Sequence, residues 1–137
     1  MKVLFVCKYN SARSQMAAAF FNHYALKPNL AESAGIEPGA LSMHAVKAMA
    51  EKDIDIFGNV VKSVDDAGSD FTHLVVIGDE TITAKCPSFP KLEETVIWDL
   101  PDPSTFDGSQ EEFSVLLCCI RDTIEQKVKA LVTDGLE

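Results

Sequence analysis

The fold of this chain is decided by the stretch Val3-Leu4-Phe5-Val6-Cys7-Lys8-Tyr9-Asn10-Ser11-Ala12-Arg13-Ser14, which leads into Gln15-Met16-Ala17-Ala18-Ala19-Phe20-Phe21. Residues 2–6 form a continuous apolar run that is typical of a buried central strand, and the alanine-rich run favours a helix. A strand that passes through a short polar loop into a helix gathers backbone N–H groups and the positive end of a helix dipole around one point. The stretch therefore predicts an oxyanion-binding loop formed by Lys8, Tyr9, Asn10, Ser11, Ala12, Arg13 and Ser14.

Cys7 and Arg13 supply reactive chemistry to this loop. The loop N–H groups and the guanidinium of Arg13 favour the thiolate form of Cys7, which is the nucleophilic form. Arg13 can hold two oxygens of a tetrahedral oxyanion with its planar fork, a geometry that lysine does not reproduce. Ser14 can donate a hydrogen bond to the thiolate, and Asn10 tolerates the left-handed backbone region and can bridge loop groups. A lone cysteine is more often a small buried hydrophobe, but the strand-loop-helix setting favours a catalytic one.

Asp102 is the candidate proton donor outside the loop. It lies in Pro101-Asp102-Pro103, where the fixed φ angles of proline make the chain stiff. A carboxylic acid held over the loop could protonate the oxygen that leaves when a thiolate attacks an oxyanion. Asp-Pro is also a common turn pair, so Asp102 could simply begin a turn, and Asp99 is a competing acid three residues earlier.

Strands and helices alternate along the rest of the chain. The pattern predicts strands at 2–6, 29–35, 71–77 and 95–98, and helices from the loop to about Leu26, after Ser42 and over about 109–132. This order predicts a single domain over residues 1–137, with a four-stranded parallel sheet in a three-layer α/β/α arrangement. The loops after the first, third and fourth strands would then lie at the same edge of the sheet.

Composition excludes several classes of function. The chain has 137 residues, 47% of them hydrophobic, which is typical of one globular domain. Its net charge of −9 and the lack of Lys/Arg clusters argue against nucleic acid binding. The apolar runs are too short for a membrane span, and the N-terminus lacks the features of a signal peptide. We therefore expect a cytoplasmic protein without a membrane partner.

The cysteines and histidines do not form a metal-binding pattern. The four cysteines, at 7, 86, 118 and 119, have no zinc-type spacing, and the three histidines have no partner at ligand spacing. We expect no metal and no cofactor. Cys86 lies in the long loop after the third strand and could attack a modified Cys7, or it could be a packing residue. Cys118 and Cys119 are expected to be core or half-buried packing residues of the last helix.

The chain resembles the low-molecular-weight protein tyrosine phosphatase superfamily over essentially its whole length. The resemblance lies in Cys7-x-x-Asn10-Ser11-Ala12-Arg13-Ser14-Gln15-Met16-Ala17 and in four further motifs: Glu32-Ser33-Ala34-Gly35, Cys86-Pro87-x-Phe89-Pro90, Trp98-x-x-x-Asp102-Pro103 and Gly108-Ser109-x-Glu111-Glu112. Ser14-Gln15-Met16 is more similar to the thioredoxin-coupled arsenate reductases of the superfamily than to its phosphatases. The resemblance implies that Asp102 is the general acid and that Cys86 is the last of three redox cysteines.

Three departures from this superfamily are visible. The middle redox cysteine is missing, because Gly78 or Asp79 stands at its position. Ala18 replaces a glutamate with which some relatives bind a monovalent cation, and Tyr9 replaces a small residue at the mouth of the pocket.

Three functions remain open from the sequence. The chain could be an arsenate reductase that uses thioredoxin, glutaredoxin or a low-molecular-weight thiol as reductant. It could be a phosphatase that hydrolyses phosphate monoesters through a phospho-Cys7 intermediate. It could also be a regulatory protein that binds arsenate or phosphate with little turnover.

Overall fold

The central strand of the sheet is β1 (Lys2–Cys7), the strand that the opening stretch predicts. In the computed structural model, which describes residues 1–134, residues 3–6 of this strand are fully buried. It pairs in parallel with β2 (Leu30–Gly35) on one side and with β3 (His73–Ile77) on the other, and β4 (Glu94–Trp98) extends the sheet beyond β3. The strand order is β2-β1-β3-β4, which confirms the predicted four-stranded parallel sheet of an α/β fold.

Within residues 1–134, four α-helices connect and cover these strands: α1 (Arg13–Tyr24), α2 (Met43–Ala50), α3 (Glu80–Thr83) and α4 (Gln110–Asp134). Successive side chains of a strand point to opposite faces of its sheet. Val3, Phe5 and Cys7 therefore share one face, where they join a core formed with α1, α2 and α4. Leu4 and Val6 point to the other face, in a second core with Val64, Phe71, Leu74, Val76 and Phe89.

The sequence predicts Ser42 as the cap of α2 and, from their helical spacing, Met43, Val46, Met49 and Ala50 as its packing face, and the structure differs in the packing face. Ser42 caps the helix as predicted, since its side chain accepts a hydrogen bond from the Ala45 N–H. The residues that α2 buries are Ala45, Ala48 and Met49, whereas Met43 is half exposed and Ala50 is exposed. Small alanines let α2 lie close to α4, where the buried Arg121 donates to the Ala48 carbonyl at 2.9 Å.

The segment after β3 is also more regular than predicted. A long loop was expected there, but Asp79 caps the single helical turn of α3 by accepting from the Thr81 N–H at 2.9 Å. No helix within residues 1–134 combines the length and the apolar composition of a membrane-spanning segment.

Candidate active site

The predicted oxyanion loop connects β1 to α1 and is held from one side by the segment after β2. The carbonyls of Cys7, Lys8, Tyr9 and Ser11 accept hydrogen bonds of 2.8–3.2 Å from backbone N–H groups of residues 36, 37, 39 and 42. The N–H and C=O of a trans peptide point in opposite directions. These contacts therefore turn the loop N–H groups away from residues 36–42, as an anion site requires.

Gly35 makes this close approach possible. A Cβ on Gly35 would lie 2.8 Å from the backbone nitrogen of Asn10 and 2.8 Å from the carbonyl carbon of Tyr9, closer than real Cβ contacts. Because both neighbours are backbone atoms, neither could move without moving the loop. The active-site loop therefore requires glycine at the end of β2, where the Glu32-Ser33-Ala34-Gly35 motif provides it.

Asn10 adopts the left-handed conformation, which asparagine tolerates, with φ of 55°. It is fully buried, and its Oδ1 accepts from the Lys62 N–H at 3.0 Å and from Gln15 Nε2 at 3.1 Å. Its Nδ2 donates to Ser14 Oγ at 2.8 Å. The asparagine therefore ties the loop to α1 and to the chain at residue 62.

Ser14 lies where the sequence places it, next to the candidate nucleophile. Its Oγ is 3.0 Å from Cys7 Sγ, and both side chains are buried. A thiolate has no proton to donate, so a hydrogen bond between these atoms in that state must run from Ser14 to Cys7. Such a bond stabilises the charged form of the sulfur.

Arg13 is buried beside Cys7 at the start of α1. Its side chain is 4% exposed, and Nη1 donates to the Leu100 carbonyl at 3.3 Å. Nη2 lies 3.8 Å from Asp102 Oδ1. The guanidinium is therefore held in position by the loop after β4 before any anion binds.

Asp102 faces this guanidinium from the opposite wall of the site. Its Oδ1 accepts from the N–H of Ser104 at 2.9 Å and from the Ser104 hydroxyl at 2.7 Å. Burial alone would raise the pKa of Asp102, but the Ser104 hydrogen bonds and the positive charges of Arg13 and Lys8 outweigh it and lower the pKa. The carboxyl is thus ionised at neutral pH in the free protein.

A small cavity of about 70 Å³ lies between the loop and Asp102. It is lined by Cys7, Tyr9, Ser11, Ala12, Arg13, Asp102, Pro103 and Ser104. A larger groove of about 420 Å³ adjoins it, and Arg13 and Asp102 line both. Lys8 lines only the groove, with its ammonium 5.1 Å from the centre of the Tyr9 ring. Tyr9, which replaces a small residue of the superfamily, lines the cavity wall.

Cys86 is not among the residues that line the cavity. It is half-buried in the second core, and its thiol donates to the Ile82 carbonyl at 3.4 Å. Burial raises the pKa of Cys86, which favours the neutral thiol. The structure therefore shows Cys86 in a packed, unreactive arrangement, and a redox role would require α3 and its flanks to move.

The two cysteines of α4 differ from each other. Cys118 is half-buried, with its thiol 3.8 Å from a carboxylate oxygen of Glu51. Cys119 is exposed, so the expectation that it is a core or half-buried residue was wrong. Adjacent helical residues point in different directions, and only Cys118 is turned toward α2. Within residues 1–134, no group of three or more metal-binding side chains comes together.

Sequence reasoning missed three contributors to the site: the Gln15 side chain, the backbone at Val60 and Lys62, and the Leu100 carbonyl. Gln15 is 2% exposed and donates to Asn10 and to the Val60 carbonyl. A polar side chain in the first turn of α1, next to the loop, was a usable signal for Gln15. The backbone groups carry no such signal, because any residue type supplies them.

Comparison with known proteins shows extensive similarity. The model of the low molecular weight phosphotyrosine protein phosphatase family matches residues 2–136. The arsenate reductase of Shouchella clausii is 33% identical over 97% of this chain and 96% of its own, as is that of Bacillus subtilis. A solved arsenate reductase in its phosphate-binding state superposes with a TM-score of 0.75 at 26% identity, covering 96% of each chain.

Proposed function

This chain belongs to the low molecular weight phosphotyrosine protein phosphatase family, and we propose that within it the protein acts as a thiol-dependent arsenate reductase. The observation that carries the proposal is the small cavity that Cys7, Arg13 and Asp102 line together. The arsenate reductases that match nearly the whole chain favour arsenate as the oxyanion.

In the first step the Cys7 thiolate attacks arsenic, and a sulfur–arsenic bond forms. Arg13 and the loop N–H groups of residues 8–14 hold the arsenate oxygens and stabilise the charge that develops on them. One arsenic–oxygen bond breaks, and Asp102 delivers a proton so that the oxygen leaves as water. Since Asp102 is ionised in the free protein, we propose that it takes this proton from the arriving oxyanion.

In the second step another thiolate attacks Cys7 Sγ and forms a disulfide. The electron pair of the sulfur–arsenic bond remains on arsenic, which leaves as arsenite, and the two sulfurs are oxidised. We propose Cys86 as this second thiol and thioredoxin as the reductant that reopens the disulfide. Glutaredoxin or a low-molecular-weight thiol acting directly on Cys7 is the alternative donor.

Asp102→Asn should lower kcat by about 10²–10⁴, the range for loss of a general acid. Asparagine can still accept the Ser104 hydrogen bonds, so the loop should keep its shape. With aryl phosphates as alternative substrates, the loss should shrink as the leaving group becomes a weaker base, because such a group needs less protonation. Steady-state kinetics on a phenyl and nitrophenyl series measures this dependence.

Asp99→Asn is the matched comparison for this variant. If Asp99→Asn loses activity in a leaving-group-dependent way and Asp102→Asn does not, the acid has been assigned to the wrong residue.

The lowered pKa of Asp102 also predicts how the wild-type activity depends on pH. Because Asp102 is already ionised in the free protein, the proton for the leaving oxygen must come with the oxyanion. We therefore expect kcat/KM to fall with rising pH as the oxyanion loses that proton, which a pH profile of kcat/KM measures.

Phosphate ester hydrolysis is the second candidate function. The groove of about 420 Å³ beside the Cys7 cavity leaves room for a substituent that inorganic arsenate does not have. In that reaction Cys7 would take the phosphoryl group, and Asp102 would first protonate the leaving oxygen and then activate water.

One set of assays on purified protein separates these functions. Arsenate is supplied with thioredoxin and its reductase, with glutaredoxin and glutathione, or with glutathione alone, and an aryl phosphate is tested in parallel. We expect arsenite to form in step with NADPH oxidation and Cys7→Ser to abolish it. If the protein hydrolyses the aryl phosphate but forms no arsenite, its function is that of a phosphatase. If it binds the oxyanion but catalyses neither reaction, it is a binding protein.

A further inference from the structure

We propose that Gln15 is a positioning residue for Cys7: together with the Lys62 N–H, it sets the direction of a chain of hydrogen bonds that passes through Asn10 and Ser14 to the sulfur. The inference rests on the proposed role of Cys7 as the attacking thiolate. It does not depend on which oxyanion is attacked.

Two backbone groups determine how the amides of Asn10 and Gln15 are oriented. The Lys62 N–H donates to Asn10 Oδ1 at 3.0 Å, and the Val60 carbonyl accepts from Gln15 Nε2 at 3.2 Å. A backbone N–H can only donate and a carbonyl can only accept. The Asn10 atom that faces Lys62 must therefore be oxygen, and the Gln15 atom that faces Val60 must be nitrogen.

This orientation is passed on to the sulfur. Gln15 Nε2 also donates to Asn10 Oδ1 at 3.1 Å, so Asn10 turns its NH₂ group toward Ser14 Oγ at 2.8 Å. An amide nitrogen only donates, so Ser14 accepts this bond and keeps its own proton for Cys7 Sγ, 3.0 Å away. The three bonds point the same way, and aligned hydrogen bonds strengthen one another.

Because these side chains are buried, water could not replace the hydrogen bonds that would be lost if the Asn10 amide were reversed. Asn10 and Ser14 are fully buried and Gln15 is 2% exposed. If the Asn10 amide were reversed, its NH₂ group would oppose the Lys62 N–H, and its oxygen would take the Ser14 proton away from the sulfur. The thiolate would then lose a charge-assisted hydrogen bond.

The charged and titratable groups around the chain lie on several elements. The ion pair of Lys62 with Glu32 lines a pocket beside Gln15, and Tyr9, Arg13 and Asp102 line the cavity beside Cys7. Lys8, Glu37 and Asp99 line the adjoining groove. All of them are unchanged in the variants below, so a shift in the pH dependence of Cys7 comes either from the hydrogen-bond chain or from the charge that a variant itself introduces, which a control variant separates.

The test measures the rate at which iodoacetamide alkylates Cys7 in the folded protein as a function of pH, by mass spectrometry of peptides, which distinguishes Cys7 from Cys86, Cys118 and Cys119. Gln15→Glu sets a carboxylate against two acceptors, Asn10 Oδ1 and the Val60 carbonyl, and so favours the reversed Asn10. We expect the rate at neutral pH to fall roughly 10- to 100-fold, the loss of one hydrogen bond to a charged group. The rate–pH curve should move to higher pH.

Gln15→Met separates the effect of hydrogen-bond direction from the effect of side-chain packing at residue 15. Methionine fills a similar volume without donating or accepting, and the Lys62 N–H still holds Asn10 in its native orientation. We therefore expect a much smaller loss than in Gln15→Glu. If the two variants lose the same rate, or if Gln15→Glu keeps the wild-type rate, Gln15 acts only through packing and the proposal is wrong.

Val60→Asp is the control for the added negative charge. The side chain of Val60 is 80% exposed and lines the same pocket as Gln15, whereas the group that accepts from Gln15 Nε2 is the backbone carbonyl, which the substitution keeps. Because this carbonyl and the Lys62 N–H still orient the amides, the alkylation rate of Cys7 should remain that of the wild type. A loss like that of Gln15→Glu would show that added negative charge, and not the direction of the hydrogen bonds, causes the effect.

A measurement on the wild-type protein decides the question even if Gln15→Glu does not fold. Nuclear Overhauser contacts should place the Asn10 side-chain NH₂ protons next to the Ser14 Hβ protons and far from the Lys62 amide proton. The opposite pattern would overturn the inference. If the variants show the expected alkylation rates but the protein does not reduce arsenate, the proposed function is wrong and the inference about Gln15 stands. If the protein reduces arsenate but Gln15→Glu alkylates at the wild-type rate, the inference is wrong and the proposed function stands.

Discussion

Arg13→Lys is expected to lower kcat/KM for the oxyanion substrate by about 10²–10³, the loss caused by removing an oxyanion donor. Lysine keeps the positive charge but offers one nitrogen where the guanidinium offers several in a fixed plane. In the structure one end of that plane is occupied by the Leu100 carbonyl, and the guanidinium also faces Asp102. A single ammonium cannot keep these contacts and also hold two oxygens of the substrate. Steady-state kinetics and the binding of inorganic phosphate measure the two parts of the loss.

Arg121→Lys is a matched control, because Arg121 is the other buried arginine within residues 1–134. It donates to the Ala48 carbonyl at 2.9 Å and to Glu51 at 2.8 Å, and neither contact touches the Cys7 cavity. This variant should lose stability but retain kcat/KM. An Arg13→Lys protein with full activity would remove Arg13 from the proposed mechanism.

Cys86→Ser is expected to abolish turnover of arsenate with thioredoxin, and it is the prediction most able to change the mechanism. Gly78 and Asp79 provide no middle cysteine, so an internal disulfide must join Cys7 directly to Cys86. A disulfide requires Cα atoms within about 7 Å, so the chain around α3 must fold over the cavity. α3 is a single turn of four residues, none of them buried, and such elements open at low free-energy cost.

The expected product in the wild type is one Cys7–Cys86 disulfide after arsenate treatment, seen by mass spectrometry of non-reduced peptides. Cys118→Ser and Cys119→Ser serve as controls and should leave both the disulfide and the turnover unchanged. Should Cys86→Ser retain full reductase activity with a small external thiol, Cys86 would be structural and Cys7 would act alone. If neither the wild type nor Cys86→Ser reduced arsenate while both hydrolysed an aryl phosphate, the phosphatase function would replace the reductase proposal.

The strand, the loop and the first helix could be predicted from the sequence because their determinants are local. An unbroken apolar run indicates a buried strand, and the alanines after Ser14 indicate a helix that packs closely. Once these two elements are placed, Cys7 must lie at the carboxyl end of β1 and Arg13 at the start of α1. The same reasoning gave Ser14 as a possible donor to the sulfur and noted that Asn10 tolerates a left-handed backbone, and the structure shows both features.

The tertiary structure alone decided what surrounds this loop. The Leu100 carbonyl that holds Arg13 is 87 residues away in the chain, and the Lys62 N–H that orients Asn10 is 52 residues away. Both are backbone groups, which every residue provides, so residue types along the chain could not reveal them. The sequence also did not determine whether Cys86 packs into the protein or faces the Cys7 cavity, because this depends on whether α3 is folded against the second core. Local sequence thus determined the reactive loop, whereas long-range packing determined the hydrogen bonds that orient it and the burial of the second thiol.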